Sequence, residues 1–197
     1  MAEIDLTDPI AVLLATVEAL ERADVSAAVC GGLALAVYGE PRETKDADLA
    51  VAGTDAGEAE AALTSAGLQV IRGFNRVRFG GLLVSRLTLF GGLGGSLNVA
   101  DLIEPRSERY AAAVLKRATA GPLRDQKVYV VSPEDFVVLK VLATRERDLS
   151  DAASVLQRFG NQLDHVLIEN EIRQLAIEIP DHEVQQRWHS AKNTGLY

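Results

Sequence analysis

The sequence holds a single cysteine, Cys30, so no disulfide framework can form within one chain. That usage fits a reducing cytoplasm, and cytoplasmic residence is the expectation. Cys30 lies in an apolar stretch and reads as a small buried hydrophobe. Histidine is equally scarce. His165, His182 and His189 show no ligand spacing, so no zinc site is expected. Long apolar runs are lacking too: no stretch of about 18 uncharged residues suggests a spanning helix. Leu82 to Ala100 comes nearest, but Arg86 and a glycine cluster break it into strands and a turn. The acidic start, Met1-Ala2-Glu3-Ile4-Asp5, has no basic region of the kind that opens a secretory signal. No membrane association is expected.

Positive charge is in short supply. Twenty Lys and Arg face 28 Asp and Glu, for a net charge of −8. A broad nucleic-acid surface needs clustered bases and is disfavoured. A local basic patch remains open, with Arg72, Arg76, Arg78 and Arg86, or Lys116 and Arg117, as its candidates.

Apolar residues make up 48% of the 197, ample for one core. Asp8-Pro9 opens a helix to about Ala23, with Asp8 at the N-cap and Pro9 in the first turn. Strands are read at Val25 to Gly31, Asp46 to Ala52, Leu68 to Gly73, Arg76 to Phe79, Leu83 to Phe90, Ser96 to Ile103 and Val128 to Val131. Helices are read at Thr54 to Ala66, Pro105 to Ala118, from Ser132-Pro133 onward, from Asp148 or Ser150 to Gly160, and to about Ser190 with a break at Pro180. The cluster Gly91 to Gly95 reads as a turn, since no helix start or lysine follows it as in a phosphate loop. The expected fold class is α+β: a mixed sheet flanked by helices, with a helical C-terminal part. The expected division is a catalytic domain over 1–131 and a helical region over 132–197 packed on it.

The chemistry concentrates in VSAAVCGGLALAVYGEPRETKDADLAV. A strand runs into Gly31-Gly32, and thirteen residues later a second strand begins on Asp46-Ala47-Asp48. Alternation puts both carboxylates on one face, roughly 7 Å apart. They repel unless a cation joins them, and hard divalent cations take such oxygen ligands. The glycine pair lets backbone N–H groups approach a polyphosphate. Asp101 is a third acid inside an apolar strand, where an unpaired charge is expensive.

The pattern Gly31-Gly32-x-Ala34…Gly39-x-x-Arg42-x-Thr44-x-Asp46-x-Asp48 resembles the signature of the DNA polymerase β-type nucleotidyltransferase superfamily. Within it the likeness is closest to the AbiEii and MenT-like toxin nucleotidyltransferases. Ser132-Pro133-Glu134-Asp135…Lys140, followed by Arg145, Arg147-Asp148 and Asp151, resembles the helical segment after that group's catalytic sheet. The resemblance implies a polymerase β-like sheet and transfer of NMP from an NTP to an acceptor hydroxyl. It implies Mg²⁺, with Mn²⁺ as a substitute, on Asp46, Asp48 and Asp101 as metal ligands and catalytic acids. Gly31 and Gly32 would hold phosphates. Arg42 and Thr44 would contact phosphate or brace the loop. Lys140, alone in an apolar helix, must snorkel or meet an anion, and a triphosphate is one. The acceptor would be tRNA or protein, with an antitoxin as partner, or an antibiotic-type small molecule. A silent relative serving as an interaction module is the reading from another class. Trp188 and Tyr197 would pack or stack on a base.

Overall fold

The computed structural model describes residues 4–39, 43–91 and 95–194. Its helices are α1 (Pro9–Arg22), α2 (Gly31–Val37), α3 (Ala56–Ser65), α4 (Glu108–Arg117), α5 (Pro133–Leu142), α6 (Glu146–Phe159), α7 (His165–Glu178) and α8 (Val184–Thr194). Its strands are β1 (Ala27–Val29), β2 (Ala47–Val51), β3 (Val70–Phe79), β4 (Leu82–Gly91), β5 (Ser96–Pro105), β6 (Thr119–Leu123) and β7 (Gln126–Val130). The strands form one mixed sheet in the order β3-β4-β5-β2-β1-β7-β6. The α+β class read from the sequence is the class observed.

Local chemistry explains the helix starts. The Asp8 carboxylate accepts from the Ile10 N–H at 3.0 Å, with Pro9 next. Ser132 accepts from Asp135 N–H at 3.1 Å, with Pro133 at the first helical position. Each cap answers a backbone donor that the helix itself leaves unpaired.

Strand alternation sorts the two sheet faces. Leu49, Leu87, Leu89, Ala100 and Leu102 point to one face and are essentially buried. Helices α1, α3 and α4 cover that face. Asp48, Asp101 and Arg86 occupy the alternate positions and point to the other. Beyond β7, α5 brings Phe136, Val137, Val138, Val141 and Leu142 into the same core.

Three elements differ from the expectation. β3 is one ten-residue strand that stays paired with β4 through two bulges, so Gly73 does not end it. β6 has the sequence TAGPL, whose glycine and proline hide a strand; it survives as the edge partner of β7. α6 begins at Glu146, with Arg145 at its N-cap and Asp148 inside the first turn. Part of the proposed turn, Gly92 to Gly94, lies outside the described residues, as does Tyr197. The described helices include none long and apolar enough to cross a membrane.

Candidate active site

The parallel pairing of β2 with β5 sets Asp48 directly beside Asp101. The antiparallel pairing of β5 with β4 sets Arg86 on Asp101's other side. Asp46 stands two residues before Asp48, just outside the strand. Together with Gly32, Thr44, Lys140, Arg145 and Arg147 they line a cavity of about 820 Å³. The structure thus brings Gly32, Thr44, Asp46, Asp48, Asp101 and Lys140 to one place. Arg42 lies outside the described residues.

Gly31 is shaped by this neighbourhood. Its φ is +59°, and a Cβ there would fall within the Asp48 carboxylate. Only glycine fits both the backbone angle and the space. A Cβ on Gly32 would come within 2.9 Å of Thr44 Cβ and Oγ1. Thr44 therefore packs over the glycine turn. The Cys30 N–H donates to the Asp48 carbonyl at 3.0 Å and ties the turn to β2. Cys30 itself is buried, and that burial pushes its thiol pKa well up.

The electrostatics are those of crowded acids. Burial, and then the neighbouring Asp101, push the Asp48 carboxyl up to about 7. Asp46 adds to the rise, while Lys140 and Arg145 oppose it. A group so placed gains from any cation that enters. Asp101 already has a partner: Arg86 donates from Nε to Oδ1 at 2.8 Å and from Nη2 to Oδ2 at 2.6 Å. The same guanidinium lies 5.4 Å from the centroid of the Phe74 ring. With Asp101 turned to Arg86, no group of three acids among the described residues stands close enough together to hold a metal ion. The donor type and the shared face suit a hard divalent cation at Asp46 and Asp48. Asp101 would join them on release from Arg86.

Lys140 is buried, and its ammonium reaches Asp148 Oδ1 at 3.0 Å and Asp151 Oδ2 at 2.9 Å. It also lies 5.5 Å from the Phe136 ring centroid. The anions it meets in this structure are therefore those of α6. Asp148 further accepts from the Arg145 N–H at 3.2 Å and from its guanidinium at 3.1 Å, and its pKa is lowered, with the hydrogen bond from Arg145 and the charge of Lys140 outweighing burial. This clamp of one lysine and two aspartates escaped the sequence reading, which saw in Asp148 only a helix start. The i, i+3 spacing of Asp148 and Asp151, opposite a lone lysine, was the signal available.

The basic-patch candidates are mostly paired to acids. Arg72 meets Glu60 at 2.6 Å, Arg76 meets Glu104, and Arg78 meets Asp181. Arg117 grips the buried Asp135 at 2.6 Å, where Tyr110 Oη also donates at 3.0 Å. Trp188 is buried and donates to Glu169 at 2.9 Å, so it packs rather than offering a stacking face.

The family model of aminoglycoside-2''-adenylyltransferases matches residues 12–83, a span that holds the glycine pair, Asp46 and Asp48. No curated protein matches the chain. Among solved structures, the solution structure of the antibiotic-resistance factor ANT(2'')-Ia aligns with a TM-score of 0.53 at 15% identity, covering 85% of this chain and 93% of that one. A crystal structure of ANT(2'')-Ia in complex with adenylyl-2''-tobramycin aligns at 0.43 and 14%, covering 93% and 97%. TM1012 from Thermotoga maritima aligns at 0.48 and 19%, covering 77% and 92%. The fold is that of the polymerase β-type nucleotidyltransferases. The matched model is one of small-molecule adenylyltransferases, and nothing in these likenesses points to the AbiEii and MenT-like toxins.

Proposed function

We propose that this protein is a metal-dependent nucleotidyltransferase that moves NMP from an NTP to the hydroxyl of a small-molecule acceptor. One observation carries the reading: a glycine turn, four aspartates and five cations share one cavity, with Asp48 and Asp101 side by side on one sheet face. Gly31 and Gly32 would present backbone N–H groups to the phosphates. Arg145 and Arg147, exposed at the rim, would take the outer phosphates. Thr44 would brace the turn. In the transfer, the acceptor oxygen bonds to the α-phosphorus and the bond to the bridging oxygen breaks. Pyrophosphate leaves with that electron pair, and the hydroxyl proton passes to a carboxylate of the acid row. A divalent cation on these acids would neutralise charge on the attacking and leaving oxygens.

A small-molecule acceptor is preferred over tRNA for two reasons. The matched family model is that of an aminoglycoside adenylyltransferase. The arginines around β3 and β4 are also bound to acids, which leaves little basic track for a polynucleotide. A toxin role with an antitoxin partner draws no support from either observation.

Calorimetric titration of ATP, GTP, CTP and UTP in Mg²⁺ tests the reading. Heat is expected from at least one, and none after EDTA. Silence from all four in both Mg²⁺ and Mn²⁺ would leave the interaction-module reading in its place.

A further inference from the structure

The acid row does not end at Arg86. Register carries it on to Phe74, so that Asp48, Asp101, Arg86 and Phe74 stand side by side across four strands. Two residues further along each strand the same face turns apolar. Ile103 pairs with Val84, and beyond it Pro105 pairs with Leu82 and Leu82 with Phe79. Phe74, Phe79, Leu82, Val84 and Ile103 all line the cavity. The two phenylalanine rings lie 6.2 Å apart, and Phe79 keeps 43% of its surface exposed. The cavity therefore has two ends. Gly32, Thr44 and Asp46 mark one, and an apolar floor with two rings marks the other.

We infer that this floor is the acceptor subsite, and that the acceptor is a neutral or anionic small molecule whose hydroxyl sits on a flat apolar ring. The inference rests on the nucleotidyltransferase reading and names its acceptor. Three features carry it. The floor contributes rings and branched aliphatic side chains, which reward a flat apolar body. Asp101, in register beside the floor, is already held by Arg86, and the cavity's other carboxylates, Glu43, Asp46, Asp48 and Asp148, come from β2, the loop before it and α6. Arg86, one of five cations lining the cavity, sits over Phe74 and so occupies the ring face that a cationic ligand would seek. Like charge then repels such a ligand, while a carboxylate or sulfonate on the acceptor would be drawn to Arg86. Stacked on the rings, the acceptor would hold its hydroxyl toward Asp101. The oxygen bonds to the α-phosphorus, pyrophosphate departs, and the proton passes to that carboxylate.

The test uses the full chain and the fluorescent probe 6-hydroxynaphthalene-2-sulfonate, a flat hydroxylated anion. Its emission is titrated with wild type, Phe79→Ala and Phe79→Asp, with tobramycin as competitor and NTP·Mg²⁺ calorimetry on the same samples. Phe79 is half exposed, so both variants should fold, and their thermal melts check this. Saturable binding is expected in wild type, at least tenfold weaker in Phe79→Ala and lost in Phe79→Asp. All three proteins should keep the same NTP affinity, and tobramycin in hundredfold excess should not displace the probe. Displacement by tobramycin, adenylylation of tobramycin, or probe binding indifferent to Phe79 would overturn the inference, as would absence of probe binding. If the probe binds as expected while no NTP gives heat, the subsite stands as a ring-binding site and the nucleotidyltransferase reading is what fails.

Discussion

Asp48 carries the conflict on which the site is built. Its carboxyl is raised to about 7 by burial and by Asp101, against about 3.8 in the unfolded chain. Below pH 4 both states hold the proton. As pH climbs from 4 to 7 the unfolded chain releases it first, so stability drains away across that window and levels off above it. An asparagine does not titrate. Asp48→Asn should therefore melt close to wild type near pH 4 and several degrees higher at pH 8, a gain on the order of 2 kcal/mol. Adding Mg²⁺ at pH 8 should narrow the gap, because only wild type keeps the full ligand set. Parallel melting curves across the pH range would mean that the carboxylate is not strained by its neighbours. The sequence made this pair of aspartates legible through its spacing alone. It could not show that Arg86 would close on Asp101, because that contact depends on strand register fifteen residues away. Nor could it show Lys140 committed to Asp148 and Asp151, since the fold of the α5–α6 turn decides which anion the lysine meets.

At the scale of elements, the sequence announced strands and helices wherever one periodicity dominated. α1, α5 and β5 were legible because caps, prolines and apolar runs agreed. β3 was legible only as two pieces, Leu68 to Gly73 and Arg76 to Phe79, because as an edge strand it is exposed on both faces along most of its length and shows no alternation to join them. Its hairpin with β4 is nevertheless firmly placed. The Gly81 N–H donates to the Leu142 carbonyl at 2.9 Å, which docks the turn on the end of α5. Gly80 has φ +60°, and a Cβ there would lie 2.8 Å from His182 Cε1 and Thr144 Cγ2 and 2.9 Å from the Leu142 carbonyl oxygen. Gly80→Ala must therefore meet both backbone strain and a clash with main chain. Gly53 is a matched control, with φ +70° and nothing within 4 Å. Gly53→Ala should cost about 1–2 kcal/mol from strain alone, and Gly80→Ala about 1–3 kcal/mol more. Urea melts of the two variants would read the difference. Equal losses would show that the hairpin turn sits loosely on α5.

For the whole molecule, we propose that the line between residues 131 and 132 divides kinds of structure but not units of stability. The sheet half lacks what it needs to stand alone. Asp135, wholly buried, takes two hydrogen bonds from Arg117, at 2.9 and 2.6 Å, and one from Tyr110. Arg117 also reaches Glu171 on α7 at 3.0 Å. Removal of residues 132–197 would strand a buried tyrosine hydroxyl and an arginine, each lacking its acid. It would also uncover the core side chains that pack against Phe136, Val138 and Val141, each about 1% exposed or less. Burial of several such residues, at roughly 1.5–3 kcal/mol each, matches or exceeds the margin by which a domain is stable. A fragment of residues 1–131 should therefore show no cooperative thermal transition and poor amide dispersion by NMR. The full chain should unfold in one calorimetric transition, with van't Hoff and calorimetric enthalpies equal. A fragment melting cooperatively within a few degrees of the full chain would make the two parts separate domains. The active-site cavity would then lie on a movable interface, because its walls come from both sides of that line. Under the proposal it does not. The cations on α5 and in the loop after it are fixed to the sheet acids by the same core that keeps the chain folded, and loss of that packing should abolish NTP binding and the thermal transition together.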